Sequence, residues 1–343
     1  MLSNDILTMV ANIYELRGQT LQYSISKSNE YAALVENAKI KSIESSNRIE
    51  GIYTTEKNLK NIALDKVYPK TKPEEEIAGY RETLKLVHEN HEYIDIALNS
   101  ILQMHKTLYS FSNNTSKGKL KNVDNEIIEI DNKGNQVIRF KPVSAFETEE
   151  MLIKLCNEYN KSIREGLEPL IVISMFVLDF LCIHPFIDGN GRISRLITLL
   201  LLYKNYFDIV RVVSIEKIIE DTKETYYESL NKSSIGFEKD ENDYTYFVRY
   251  YLGIIIKAYN NFLSEAKILV NKDIRKIKKI EEIIKESIKP ITKTEILDII
   301  KTKTTINQVT VQRALAEMIA DNKITKIGGG RYTKYIWNNK EEN

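Results

Sequence analysis

Between His184 and Arg195 the chain reads His-Pro-Phe-Ile-Asp-Gly-Asn-Gly-Arg-Ile-Ser-Arg. These residue types, in this order, can handle a phosphate ester. Gly189, Asn190 and Gly191 let the backbone turn tightly and aim unpaired N–H groups inward; where such a turn opens a helix it forms an anion site. Arg192 and Arg195 fall on one face of the following helix, where they can grip phosphate oxygens bidentately. Asp188 is a hard oxygen ligand suited to Mg²⁺, which takes one or two carboxylates plus substrate oxygens. His184, at the rim, can take a proton from an attacking hydroxyl near neutral pH. Together they make a site for phosphoryl-type transfer. The alternative reading is a helix–loop–helix in which His184 caps the first helix and both arginines lie on the surface. Other nucleotide signatures are absent: the chain has no Gly-x-x-x-x-Gly-Lys-Ser/Thr loop and no Gly-x-Gly-x-x-Gly after a strand.

Such a segment needs a helix on each side. Pro169 begins a strongly apolar helix running to Ile183, and helical patterning resumes over about 193–206, 223–231 and 244–270. Upstream, residues 1–60 read as helices broken at Gly51. Thr71-Lys-Pro-Glu-Glu-Glu opens another, with Pro73 near its start and acidic residues in its first turn. Ile77, Tyr80, Leu84 and Val87 continue it at helical spacing. Two more helices are expected over about 96–108 and 147–165. Residues 122–130 and 136–140 alternate partially in Ile and Val, with Asp131-Asn-Lys-Gly-Asn between them. That pattern predicts a β-hairpin with Gly134 supplying the turn.

The apolar fraction of 43% and charged fraction of 28% suit a globular protein, and 13 Gly and 6 Pro leave room for long helices. No secretory leader and no apolar run of membrane-spanning length stand out, so a cytoplasmic protein without a membrane partner is expected. Cys156 and Cys182 sit in apolar helical patterns and read as reduced core residues. Residues 267–343 carry 17 Lys and Arg against 10 Asp and Glu, whereas the rest carries 32 against 38. In that basic tail, Ile277, Ile280, Ile283 and Ile284 mark one helix. Thr292 with Glu295 forms a capping box for a second, and residues 309–320 form a third. Residues 324–327 and 332–337 flank Gly328-Gly-Gly-Arg as a hairpin. Three helices and a hairpin predict a winged helix, with Gln312 and Arg313 on the third helix and Arg331 at the hairpin tip placed to meet DNA. Such modules also serve as protein contacts, and a solvated lysine-rich face accounts for the charge equally well. The expected division is 1–70, 71–266 and 267–343.

The segment at 184–195 resembles the signature of the Fic family, His-x-Phe-x-Asp/Glu-Gly-Asn-Gly-Arg-x-x-Arg, and matches every fixed position; the resemblance extends over about residues 40–255. It implies a mainly α fold: a Fic helical core with a β-hairpin flap, followed here by the C-terminal winged-helix domain. It implies transfer of AMP from ATP to a protein Ser, Thr or Tyr hydroxyl. By position, His184 would be the general base, Phe186 would be buried and hold the loop, and Asp188 would bind Mg²⁺. Gly189, Asn190, Gly191 and Arg192 would bind phosphates, and Arg195 would hold the γ-phosphate. The hairpin would be the flap that pairs with the target's backbone. Tyr226 and Tyr227 resemble the stretch lining the adenine pocket, although Ser234 stands where some relatives carry Asn; a Tyr pair on a helix also serves as core. ATP and a protein target are the implied partners. Self-modification, a homodimer and DNA contact through 267–343 are compatible with them.

Ser45-Ser-Asn-Arg-Ile-Glu-Gly resembles the family's inhibitory motif, Ser/Thr-x-x-x-Glu-Gly/Asn, with Ser46, Glu50 and Gly51 in place. A carboxylate paired with Arg195 would occupy the arginine meant for the γ-phosphate and leave ATP in a pose unfit for attack on its α-phosphate. The plainer reading makes Gly51 a helix C-cap and Glu50 a surface charge. Two further uses of the fold stay open: a nucleotide-sensing transcription regulator, and a transferase of another nucleotide or a de-AMPylating enzyme in which Glu50 directs a water.

Overall fold

The computed structural model describes residues 3–21, 29–130, 136–287, 289–303, 306 and 308–338; for 29–30, 128–130, 136–138, 267–274, 301–303 and 331 it describes the backbone alone. Its chain divides into two compact units, Met1–Leu263 and Ser264–Asn343. In the first unit α1 (Asn4–Leu21), α2 (Asn29–Ile49), α3 (Glu56–Ala63), α4 (Lys72–Asn90) and α5 (Leu98–Leu108) precede a hairpin of β1 (Ile127–Ile130) and β2 (Gln136–Phe140). Then come α6 (Thr148–Arg164), α7 (Pro169–Ile183), α8 (Asn190–Lys204), α9 (Ile215–Asp221) and α10 (Lys223–Ser234). The helix α11 (Thr245–Glu286) follows. The fold is mainly helical, as the breaker-poor sequence requires.

The first core is built around α7 and α8. Eleven of the fifteen residues of α7 are buried, and so are thirteen of fifteen in α8. A helix hydrophobic on every side must sit inside, and these two are wrapped by α4, α5 and α6. Thr71 caps α4 through its side chain, with Pro73 in the first turn, as the sequence predicts. Gly79 of α4 lies against the backbone of Leu108 so closely that a Cβ there would overlap the carbonyl. That approach brings α5 beside α8. Along α2, Ser42 donates to Glu216 Oε2 at 2.7 Å and Ser45 to Glu220 Oε2 at 2.8 Å, fixing α2 to α9. The predicted hairpin forms with antiparallel pairing from Ile130↔Gln136 to Ile127↔Phe140 and an irregularity between Ile127 and Ile128; the turn assigned to Gly134 lies outside the described residues. Both cysteines are free and buried.

Two features depart from the sequence reading. The short α9, capped by Ser214, has only seven residues, too few to show a period. The isoleucines at 277–284 do not open a separate helix; they continue α11, a run of 42 residues, because no Gly or Pro falls between Ile254 and Glu286.

In the second unit the last part of α11 is followed by β3 (Ile291–Thr292), α12 (Lys293–Lys303), α13 (Gln308–Ala320), β4 (Ile324–Ile327) and β5 (Lys334–Trp337). The three strands form an antiparallel sheet in the order β3-β5-β4. Glu295 and Thr292 make reciprocal capping bonds at the start of α12, Glu295 Oε2 accepting from Thr292 N at 2.7 Å. Ile280, Ile284, Ile296, Ile300, Val311, Leu315 and Met318 form its core. Among the described residues of the chain, no helix is long and apolar enough to cross a membrane.

Candidate active site

The loop from His184 to Gly189 joins α7 to α8, and its shape follows from local bonds. His184 ends α7 in the left-handed conformation, φ 52°, with its N–H bonded to Phe180 O at 3.0 Å. Gly189 enters α8 at φ 85°, a value that favours glycine. Asn190 is buried and clamps the loop: its Oδ1 accepts from Phe186 N at 2.9 Å and its Nδ2 donates to Phe186 O at 2.7 Å. Phe186 is fully buried and stacks on His105 with ring centroids 3.8 Å apart. His105 accepts from Gly118 N at Nδ1 (2.9 Å), so its Nε2–H donates to Asp188 O (3.1 Å). Burial holds this imidazole down at about 4, so it stays neutral in that role.

The two arginines are buried, which removes the reading that puts them on the surface. Arg192 lies 2.8 Å from Glu76 Oε2, donates to the Tyr109 hydroxyl at 2.8 Å and stands 3.7 Å from Asp188 Oδ2. Arg195 donates from Nη2 to Glu50 Oε1 at 2.7 Å and to Ser46 O at 2.9 Å, and from Nε to Ser46 Oγ at 2.8 Å. Glu50 is therefore not simply a surface charge, although Gly51 does end α2 with φ 76°. Lys223 Nζ donates to Ile49 O at 2.8 Å, tying the end of α2 to α10. The Glu50 carboxylate also rests on Gly191: a Cβ there would collide with it. It thus fills the approach to the backbone N–H groups that open α8.

A cavity of about 360 Å³ unites these groups: Glu50, His184, Gly191 and Arg195 on one side, Tyr226, Tyr227 and Leu230 on another, and Ile127, Arg139 and Phe140 of the hairpin as cover. Arg139 donates to Tyr227 O at 2.7 Å, linking hairpin and α10. His184 is held neutral: burial pushes its imidazole down to about 4, with Lys121 adding to that and Glu50 and Asp188 opposing it. Its Nδ1 lies 3.4 Å from Leu181 O. A carbonyl only accepts, so Nδ1 carries the proton and Nε2 keeps a lone pair.

The sequence-predicted residues are placed unevenly. His184, Gly191, Arg195, Tyr226, Tyr227 and Glu50 line the cavity, and Ser46 stands behind Arg195. Asn190 and Arg192 do not line it; the side chain of the first is committed to Phe186 and that of the second to Glu76 and Tyr109. As placed, each side chain is tied into the loop's own scaffold and not aimed into the cavity. Arg192 Nε, buried, has no hydrogen-bond partner among the described residues. Asp188 keeps an exposed carboxylate, 68% accessible, with Oδ1 accepting from Gly189 N at 2.7 Å. A hard, accessible carboxylate beside an anion nest fits Mg²⁺ that keeps waters and phosphate oxygens as its other ligands. Glu76, His105, Tyr109, Lys121 and Lys223 carry no sequence signal, since each meets the loop or α2 only through tertiary packing.

Comparison with known proteins bears on the family and the fold. A family model described as Fic/DOC family matches residues 93–202. A protein adenylyltransferase, fic-1, of Caenorhabditis briggsae is 26% identical over 159 residues, which are 46% of this chain and 27% of that protein. The match thus spans about a quarter of that relative. The crystal structure of a Fic family protein from Desulfovibrio desulfuricans superposes with a TM-score of 0.64 at 19% identity, covering 100% of this chain and 98% of the other. That of a Fic domain containing signaling protein from Bacteroides thetaiotaomicron gives 0.61 at 20% identity, covering 75% and 98%. At these identities the structures speak for the fold alone.

Proposed function

The chain carries a Fic/DOC family domain over residues 93–202, and from that premise we propose that it is a protein adenylyltransferase that moves AMP from ATP to a Ser, Thr or Tyr hydroxyl of a protein, itself included, under restraint by Glu50. The observation that carries this reading is one cavity holding a neutral histidine, a glycine-lined helix start and a buried arginine, with a carboxylate seated on the last two.

In this reading His184 Nε2 takes the proton of the target hydroxyl. The oxygen attacks the α-phosphorus, the bond from that phosphorus to the oxygen bridging to the β-phosphate breaks, and pyrophosphate leaves with the electron pair. The backbone N–H groups at the start of α8 and Arg195 hold the phosphates in line. Asp188 would hold Mg²⁺, which supplies charge neutralisation for the phosphates when bound. Tyr226, Tyr227 and Leu230 form the wall suited to the adenine ring, and the hairpin offers its strands to the target's backbone. Glu50 opposes transfer because it occupies Arg195 and the Gly191 approach at once. The same carboxylate, in one cavity with His184, could also direct a water onto a bound AMP ester; removal of AMP is the second reading this placement favours.

Labelled ATP tests the reaction class. With Glu50→Gly, label at the α-phosphate should enter protein and label at the γ-phosphate should not; the reverse pattern would make the site a phosphotransferase. We further propose the second unit as a winged helix, since it runs helix, short strand, two helices, hairpin. A gel shift decides between the uses of such a unit: salt-sensitive binding to duplex DNA would make it a DNA reader, and no binding at low salt would rule that use out.

A further inference from the structure

We propose that Lys121 is a positioning residue for this reaction, anchoring the backbone on both sides of His184 so that the imidazole faces the cavity. The inference rests on the proposed role of His184 as base. Lys121 lies between α5 and the hairpin and is 3% exposed. Its backbone N–H donates to Pro185 O at 2.9 Å, and its ammonium donates to Ile183 O at 3.0 Å and to Asn125 Oδ1 at 3.1 Å. The carbonyls immediately before and after His184 are thus both held by one residue.

That grip answers a need of the loop. A non-glycine residue at φ 52° is strained, and strain of this kind persists only where the surroundings over-determine it. On the far side Asn190 fixes Phe186; on the near side Phe180 O fixes the His184 N–H; Lys121 supplies the remaining two restraints. Among the described residues, the His184 side chain itself has only the long contact to Leu181 O, so its aim depends on its backbone.

The ammonium is also an unusual choice for a purely structural clamp. It is buried against neutral oxygens, and burial pushes it down to about 8, so it is still charged at neutral pH. The charged or titratable groups that share the cavity with His184 are Glu50, Glu126, Arg139, Cys182, Arg195, Tyr226 and Tyr227. With Asp188 in the loop, Glu50 favours imidazolium, whereas Lys121 favours the neutral ring that a base requires. One side chain therefore holds the direction of the imidazole and adds to the burial that keeps it neutral.

The test uses full-length Lys121→Met and Lys121→Arg, with melting temperatures to establish folding, and two measurements. In the first, ring NMR without nucleotide follows the four histidines, with His184→Ala assigning the resonance. In Lys121→Met, His184 should bind its proton about tenfold more tightly or more, while His88 and His105 do not move; Lys121→Arg should stay near wild type. Should Lys121→Met not fold, Lys121→Gln, which keeps an N–H donor without the charge, is read in the same way. An unchanged His184 titration and tautomer in the folded Met or Gln variant would overturn the inference. In the second, carried in the Glu50→Gly background, kcat for AMP transfer should fall about tenfold or more with KM for ATP held within about threefold. Lys121→Arg should restore it. Unchanged kcat, or a rise in KM alone, would again overturn the inference. If Glu50→Gly by itself transfers nothing, the adenylyltransferase reading fails, and the NMR result still decides the role of Lys121.

Discussion

Replacing Glu50 by Gly should release Arg195, and the size of the release can be worked from the contacts. Glu50 contributes one of three hydrogen bonds to Arg195, the only one from a charged group, at 2.7 Å. A hydrogen bond to a charged partner is worth about 1.5–3 kcal/mol net. The Glu50 side chain is 32% exposed, so solvent screening argues for the lower part of that range. At about 1.4 kcal/mol per factor of ten, the fraction of molecules with Arg195 free for phosphate rises about 10- to 50-fold. Initial rates of AMP incorporation at saturating ATP should rise by the same factor. Glu50→Gln, which keeps the volume and loses the charge, should fall between. The variant should also melt lower without nucleotide, since a buried guanidinium has lost its counter-charge, and should regain most of that difference with ATP. A rate within twofold of wild type in a folded, ATP-binding Glu50→Gly protein would show that Glu50 does not restrain Arg195.

Two further outcomes follow from the same contacts. Gly191→Ala should abolish transfer even in the Glu50→Gly background, because the added methyl enters the space a phosphate needs; full activity in a rate assay would show that phosphate does not approach there. Asp179 is half-buried, accepts from the Tyr244 hydroxyl at 2.9 Å, and desolvation pushes its carboxyl up to about 7. Its folded-state value lies above the unfolded one, so this group destabilises the fold progressively as pH rises from about 4 to 7, and fully above 7. Asp179→Asn, which still accepts from Tyr244, should therefore gain stability of up to about 3 kcal/mol at pH 8 and little at pH 4. Melts that respond equally at both pH values would contradict the assignment.

How much of this was legible in the residues depends on how local each interaction is. The loop at 184–191 encodes its own shape: Gly189 takes the positive φ, Asn190 closes on Phe186, and α8 starts where the pattern places it. The hairpin, the α4 cap and the capping box at Thr292 are equally local. Ser46 and Glu50 were readable only because their spacing matches a known motif; nothing in the helix α2 itself points to Arg195, 145 residues away. The arginine pair shows where the spacing argument overreached. Arg192 and Arg195 do leave one helix face, yet Glu76 and Tyr109 take the first and leave the second for the cavity. Likewise, His105 and Lys121 sit in unremarkable stretches, and their work appears only once α5 and the segment after it pack beneath the loop. The continuity of α11 is hidden for the opposite reason: its apolar pattern thins between 270 and 277, and only the lack of a breaker there carries the helix through.

The most direct test of the account is the mass of the intact protein after incubation with Mg²⁺ and ATP, for wild type, Glu50→Gly and Glu50→Gly with His184→Ala. Mass gains equal to one or more AMP groups are expected in Glu50→Gly, less in wild type, and none once His184 is gone. An AMP adduct that persists without His184, or no adduct on Glu50→Gly or on any added protein while ATP still binds, would contradict it.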